Sequence, residues 1–175
     1  MALSQGKRRE ITMYSFRNDY SEGAHPKVLQ ALADTNLRQT VGYGMDPCCQ
    51  AAADTIRRLC AAPDAAVHFL VGGTQVNLVT IDAFLQSYEA VVAAQTGHVS
   101  THETGAIEAT GHKVCTVESP DGKLTPALVE SVLAGHNGTE HMVLPRMVYI
   151  SDTTEIGTVY TRAELAARVA ELEGK

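Results

Sequence analysis

Gly72-Gly73-Thr74-Gln75 joins an apolar run rich in β-formers, VHFLV at 67–71, to a largely apolar helical pattern. Two glycines let the chain turn sharply with no side chain in the way. Thr74 is placed to cap the new helix, whose first amides and positive dipole end would face an anion such as a phosphate. The same residues also read as an ordinary turn between strand and helix, and spacing alone leaves that alternative open.

Other side chains with chemical potential are His98, His102 and Glu103, since histidines four apart on a helix can share one ion. Their order does not fit a zinc protease, in which Glu directly follows the first His, and no metal is expected. Ser100 and Ser151 have no base at a recognisable spacing, and no Gly-x-Ser-x-Gly elbow occurs. A dinucleotide fingerprint and a P-loop are absent too. His98 therefore stands between a catalytic histidine and an ordinary satisfied one.

The elements that must position these residues alternate. An extended segment at 12–20 precedes a helix starting at Pro26 and running through Val28, Leu29 and Leu32. Asp46 caps and Pro47 starts a second helix, with Ala51, Ala52, Ile56, Leu59 and Cys60 on one stripe. There follow strand 66–71, helix 74–87, strand 90–94, helix 100–110, strand 112–117, helix 125–134, strand 146–151 and helix 161–173. Thr161-x-x-Glu164 is a capping box for the last, whose stripe is Leu165, Val169 and Leu172 and which Gly174 suits as an end. Strands separated by crossover helices imply an α/β fold with a mostly parallel sheet and flanking helices. In such sheets ligands sit beyond the carboxyl ends of the strands, where Gly97-His98 and Ser151-Asp152-Thr153-Thr154-Glu155 fall.

The chain's 175 residues suit one domain able to bury roughly 70% of its unfolded surface. A net charge of −6 offers no basic field for nucleic acid, and the one cationic cluster, Lys7-Arg8-Arg9, lies near the amino terminus. No run of about 18 apolar residues suggests a membrane span. Cys48, Cys49, Cys60 and Cys115 show neither a Cys-x-x-Cys nor a zinc spacing, and read as reduced thiols of a cytoplasmic protein.

SFRNDYSEGAHP at 15–26, GYGMDP at 42–47, FLVGGTQVN at 69–77, GHVSTHETGAIEATGHKV at 97–114 and ISDTTEIGTVYTRAEL at 150–165 occur in that order. Together they resemble the amino-terminal half of the low-specificity threonine aldolases, of the β-eliminating lyase group of fold type I pyridoxal-phosphate enzymes. The resemblance implies that residues 1–175 form the first part of the cofactor-binding domain, with an amino-terminal arm over about 1–25. The rest of that domain and a small carboxyl-terminal domain would follow, so the chain alone is expected to be incomplete and inactive.

By the same resemblance, Gly73, Thr74 and Gln75 would hold the phosphate of pyridoxal 5'-phosphate, and His98 would stack on its ring. Asn18 and Tyr43 would lie near the substrate, Tyr43 on a loop that can come from the other subunit. No Schiff-base lysine is expected among Lys7, Lys27, Lys113, Lys123 and Lys175. Some relatives carry Thr-His-x-Gly where this chain has Thr154-Glu155-Ile156-Gly157. Glu155 could stand in as a base only if burial or a like charge raised its proton affinity. The implied reaction splits a β-hydroxy-α-amino acid such as threonine into glycine and an aldehyde, in a homodimer or homotetramer. β-Elimination on another amino acid, and a non-catalytic fragment or binding module, are the alternatives.

Overall fold

A computed structural model describes residues 14–18, 20–136 and 138–172, which fall into two compact units, one up to Val67 and one from His68. Lys7-Arg8-Arg9, the first residues of the extended segment, Gly174, Lys175 and the stripe side chains of Val169 and Leu172 lie outside the described residues.

The first unit holds two helices, each begun by a proline whose fixed φ suits the first turn. Helix α1, Pro26–Thr35, is capped by His25, whose Nδ1 accepts the Lys27 amide at 3.2 Å. Helix α2, Pro47–Leu59, is capped as expected by Asp46, whose Oδ1 accepts the amides of Cys48 and Cys49 at 2.9 and 3.0 Å. Hydrogen bonds from Cys49 are the main reason the Asp46 carboxyl lies below the usual carboxylate range.

The second unit carries, in chain order, α3 (Gly73–Phe84), β1 (Glu89–Ala94), α4 (His98–Thr101), α5 (Ala106–Ala109), β2 (Lys113–Val117), α6 (Pro126–Gly135), β3 (Leu144–Val148) and α7 (Arg162–Leu172). The three strands form a parallel sheet in the order β2-β1-β3. The pairing of β1 with β3 runs Ala90 to Pro145 and then Val91 to Met147, so Arg146 bulges out next to a proline that has no amide to donate.

Central β1 is covered on both faces, which explains its unbroken apolar sequence. Val91 and Ala93 point to one side with Ile81, Leu85, Val99 and Ile107, from α3, α4 and α5. Ala90, Val92 and Ala94 point to the other with Leu124 and Val129 of the α6 side. Val91, Val92, Ile81 and Ile107 are fully buried, each contributing about 1.5–3 kcal/mol over exposure.

Three expectations are corrected. Residues 66–71 form no strand and belong to no ladder, the chain bends at Val71, and Phe69, Leu70 and Val71 stay exposed. A β-forming sequence becomes a strand only where another strand accepts its hydrogen bonds, and none of the described ones does. The expected continuous helix over 100–110 is two short helices, because Thr104 and Gly105 take φ of 55° and 75°. Last, Thr74 is not the cap of α3. Gly72, in extended conformation, holds that position without a side-chain bond, and Thr74 is the second helical residue. The Gln75 side chain reaches back instead, its Oε1 accepting the Val71 amide at 2.9 Å.

The capping box at the start of α7 forms as expected. The Thr161 amide donates to Glu164 Oε2 at 2.6 Å, and the Glu164 amide donates to Thr161 Oγ1 at 3.2 Å. No helix among the described residues is long and apolar enough to cross a membrane.

Candidate active site

The amino-terminal end of α3 presents unused donors to open space. Val76 is the first helix amide to find a helical acceptor, Gly72 O at 3.0 Å. The amides of Gly73, Thr74 and Gln75 precede it and, as the opening turn of a helix, take no acceptor among the described residues. A Cβ built on Gly72 or Gly73 would meet nothing within 4 Å, so no side chain fills the space over the turn. Three amides, the Thr74 hydroxyl and the helix dipole make a donor set suited to a monoester phosphate.

One turn further along α3, Asn77 sends its side-chain Nδ2 to Glu103 Oε1 at 2.5 Å. The same Oε1 lies 2.8 Å from Nδ1 of His98, the first residue of α4. The Glu103 side chain is wholly buried, whereas that of His98 is 39% exposed. A carboxylate thereby ties the imidazole to the helix whose first turn carries the free amides. His102 stacks loosely on His98, ring centroids 5.6 Å apart and tilted by 57°.

His98 is aimed by the turn before it. Gly97 caps α4, and a Cβ there would lie 3.0 Å from Ala94 O, so any larger residue would have to push the end of β1 aside. Gly97 lines a small cleft at the carboxyl end of the sheet with Thr96, Gly122, Ser151, Thr154 and Glu155. Gly122 has φ +71° and packs against Thr154, whose hydroxyl lies 2.7 Å from that of Thr158. Glu155 lines this cleft and is exposed.

Asn18 and Tyr43 lie in the first unit. Asn18 Oδ1 accepts the Tyr20 amide at 3.2 Å and the Ser21 hydroxyl at 2.5 Å, and Tyr43 is fully exposed with φ 61°. The structure thus joins Gly73, Thr74, Gln75 and His98 in one unit, with Glu155 at its sheet edge. Sequence reasoning missed Asn77 altogether and weighed Glu103 only as a metal ligand. The available signal was a glutamate directly before Thr104-Gly105, which breaks the helix and turns that side chain inward.

A parallel sheet with open helix amides and a tethered imidazole beyond its strands defines an α/β protein. The chain belongs to the beta-eliminating lyase family, which it matches over residues 16–173. It is 36% identical to the low-specificity L-threonine aldolase of a Pseudomonas species and 35% identical to that of Pseudomonas aeruginosa. Each match covers 87% of this chain and 44% of the relative. A solved structure of Leishmania major threonine aldolase superposes with a TM-score of 0.89 at 54% identity, over 93% of this chain and 47% of that one. The chain therefore spans a little under half the length of these relatives, and its fold is that of the fold type I pyridoxal-phosphate enzymes.

Proposed function

We propose that this chain is the phosphate-gripping, ring-stacking half of a pyridoxal 5'-phosphate-dependent threonine aldolase. The enzyme releases glycine and an aldehyde from threonine-like β-hydroxy-α-amino acids. The observation that carries the reading is the bridge from Asn77 through Glu103 to His98, which holds an imidazole in register with the open amides of α3.

When bound, the cofactor supplies an electron sink for the charge left on Cα as the Cα–Cβ bond breaks. The residues of this chain do the holding. Amides of Gly73, Thr74 and Gln75, with the Thr74 hydroxyl, grip the phosphate, and the dipole of α3 contributes about 0.3–2 kcal/mol toward it. His98 lays its ring against the pyridine and keeps it flat. Glu155, in the loop beyond β3, stays a candidate for the β-hydroxyl proton only if the bound substrate or a neighbouring subunit covers it, with Asn18 and Tyr43 toward the substrate. The working protein is a cytoplasmic homodimer or homotetramer with no nucleic-acid partner.

The test is made on the protein at its natural length. Incubation with pyridoxal 5'-phosphate and threonine should yield acetaldehyde and glycine in equal amounts. Pyruvate and ammonia from serine instead would replace the aldolase reading with β-elimination, and neither product would reject catalysis. Substituting His98→Phe should keep the cofactor bound and alter the rate; an unchanged rate would return His98 to an ordinary structural role.

A further inference from the structure

We propose that Glu103 is a positioning residue which, steadied by Asn77, locks His98 in the Nδ1–H tautomer and leaves Nε2 as the nitrogen presented to the bound ligand. This deepens the reading above and rests on it for the identity of that ligand, though not for the tautomer. Two donors converge on one oxygen. Asn77 Nδ2 can only donate, so Glu103 Oε1 is already an acceptor at 2.5 Å when His98 Nδ1 meets it at 2.8 Å. An ionised carboxylate can only accept, so the imidazole nitrogen that meets it is the donor. Nδ1 therefore carries the hydrogen.

The polar contacts of this carboxylate gather on one side: Oε1 meets both Asn77 and His98, while buried Oε2 takes no hydrogen bond among the described residues. Burying a carboxylate with one oxygen unused is costly, and what it accomplishes here is the orientation of one partly exposed ring. The position of Asn77 matters as well. Four residues beyond Gly73, it is about one helical turn from the free amides, so the ring plane is referenced to the helix that would hold the phosphate.

Two-bond hydrogen–nitrogen correlation spectra of the protein free of cofactor read the tautomer directly. His98 should show a protonated Nδ1 and a bare Nε2; the reverse pattern in the unsubstituted protein overturns the proposal without any variant. Glu103→Ala should move His98 to the Nε2–H form that dominates in water, and an unshifted spectrum would reject the lock. Asn77→Ala, which keeps the carboxylate, should give a mixture of the two forms, whereas a pattern identical to the parent would remove Asn77 from the assembly. At natural length, Glu103→Gln should lower kcat about 10–100-fold with KM nearly unchanged, the range known for carboxylates that orient metal-bound histidines. Unaltered kcat would overturn the positioning role. A protein that shows the Nδ1–H form yet cleaves no threonine would sink the aldolase reading and leave the tautomer assignment standing.

Discussion

Lys123 Nζ lies 3.1 Å from Glu164 Oε1, joining the loop after β2 to the first turn of α7 across 41 residues. Glu164 also serves the capping box, so its carboxylate is a junction between local and long-range order.

That junction is readable by titration. The Thr161 amide, then the Thr161 hydroxyl, then Lys123 hold the Glu164 carboxyl down at about 2, from an ordinary value of 4.5. Because the folded-state value is depressed, the stability it contributes is present above pH 4.5 and is lost as pH falls toward 2. Carboxyl carbon NMR should follow a midpoint near 2 that rises in Thr161→Ala. A midpoint already at 4.5 in the parent protein would deny the box any hold on the charge.

Substituting Thr74 tests the proposed phosphate grip apart from ring stacking. Losing one hydrogen bond to a charged group costs about 1.5–3 kcal/mol, so Thr74→Val should weaken pyridoxal 5'-phosphate binding roughly 10–100-fold. Pyridoxal, which lacks the phosphate, should bind the variant and the parent alike. Equal weakening of both compounds in a calorimetric titration would move the phosphate away from α3.

Gly122 combines a left-handed φ of +71° with a Cβ position 3.2 Å from Thr154 Cβ. Gly122→Ala should destabilise the protein by about 1–3 kcal/mol from the backbone alone and more from the contact. Gly157→Ala is the control, since φ there is +88° but nothing lies within 4 Å. Urea midpoints should fall further for Gly122→Ala, and equal falls would show that the contact with Thr154 relaxes freely.

Cys115 is buried, burial pushes its thiol up, and its Sγ lies 3.6 Å from His136 Nε2. Iodoacetamide at pH 8 should leave Cys115 unmodified until denaturant is added, as peptide mass mapping would report. Prompt labelling in the native protein would contradict its place under α6.

The local features of this fold were legible because short-range chemistry decides them. Asp46 before Pro47 and Thr161 before Glu164 cap as written, since a side-chain oxygen two or three residues from its amides needs no distant help. The three ladder strands were found from their apolar, β-branched composition, although β3 sits two residues earlier than periodicity suggested. Errors arose where distance in sequence enters. Residues 66–71 carry the pattern of a strand but lack a paired neighbour, and pairing cannot be read from one segment. Val99 and Ile107 share a helical period and face, which hid the break at Thr104-Gly105 between them. The role of Glu103 depends on Asn77, 26 residues away and brought near only by packing of α3 against α5.

The uncommitted stretch before α3 has a practical side. Phe69 is 48% exposed, Leu70 39% and Val71 96%, on irregular backbone that bends at Val71 and joins no ladder. Strand-forming apolar residues left unpaired in this way favour self-association, which light scattering of concentrated solutions of these 175 residues should detect. A charged residue in place of Val71 is the simplest remedy for anyone handling this chain at the bench.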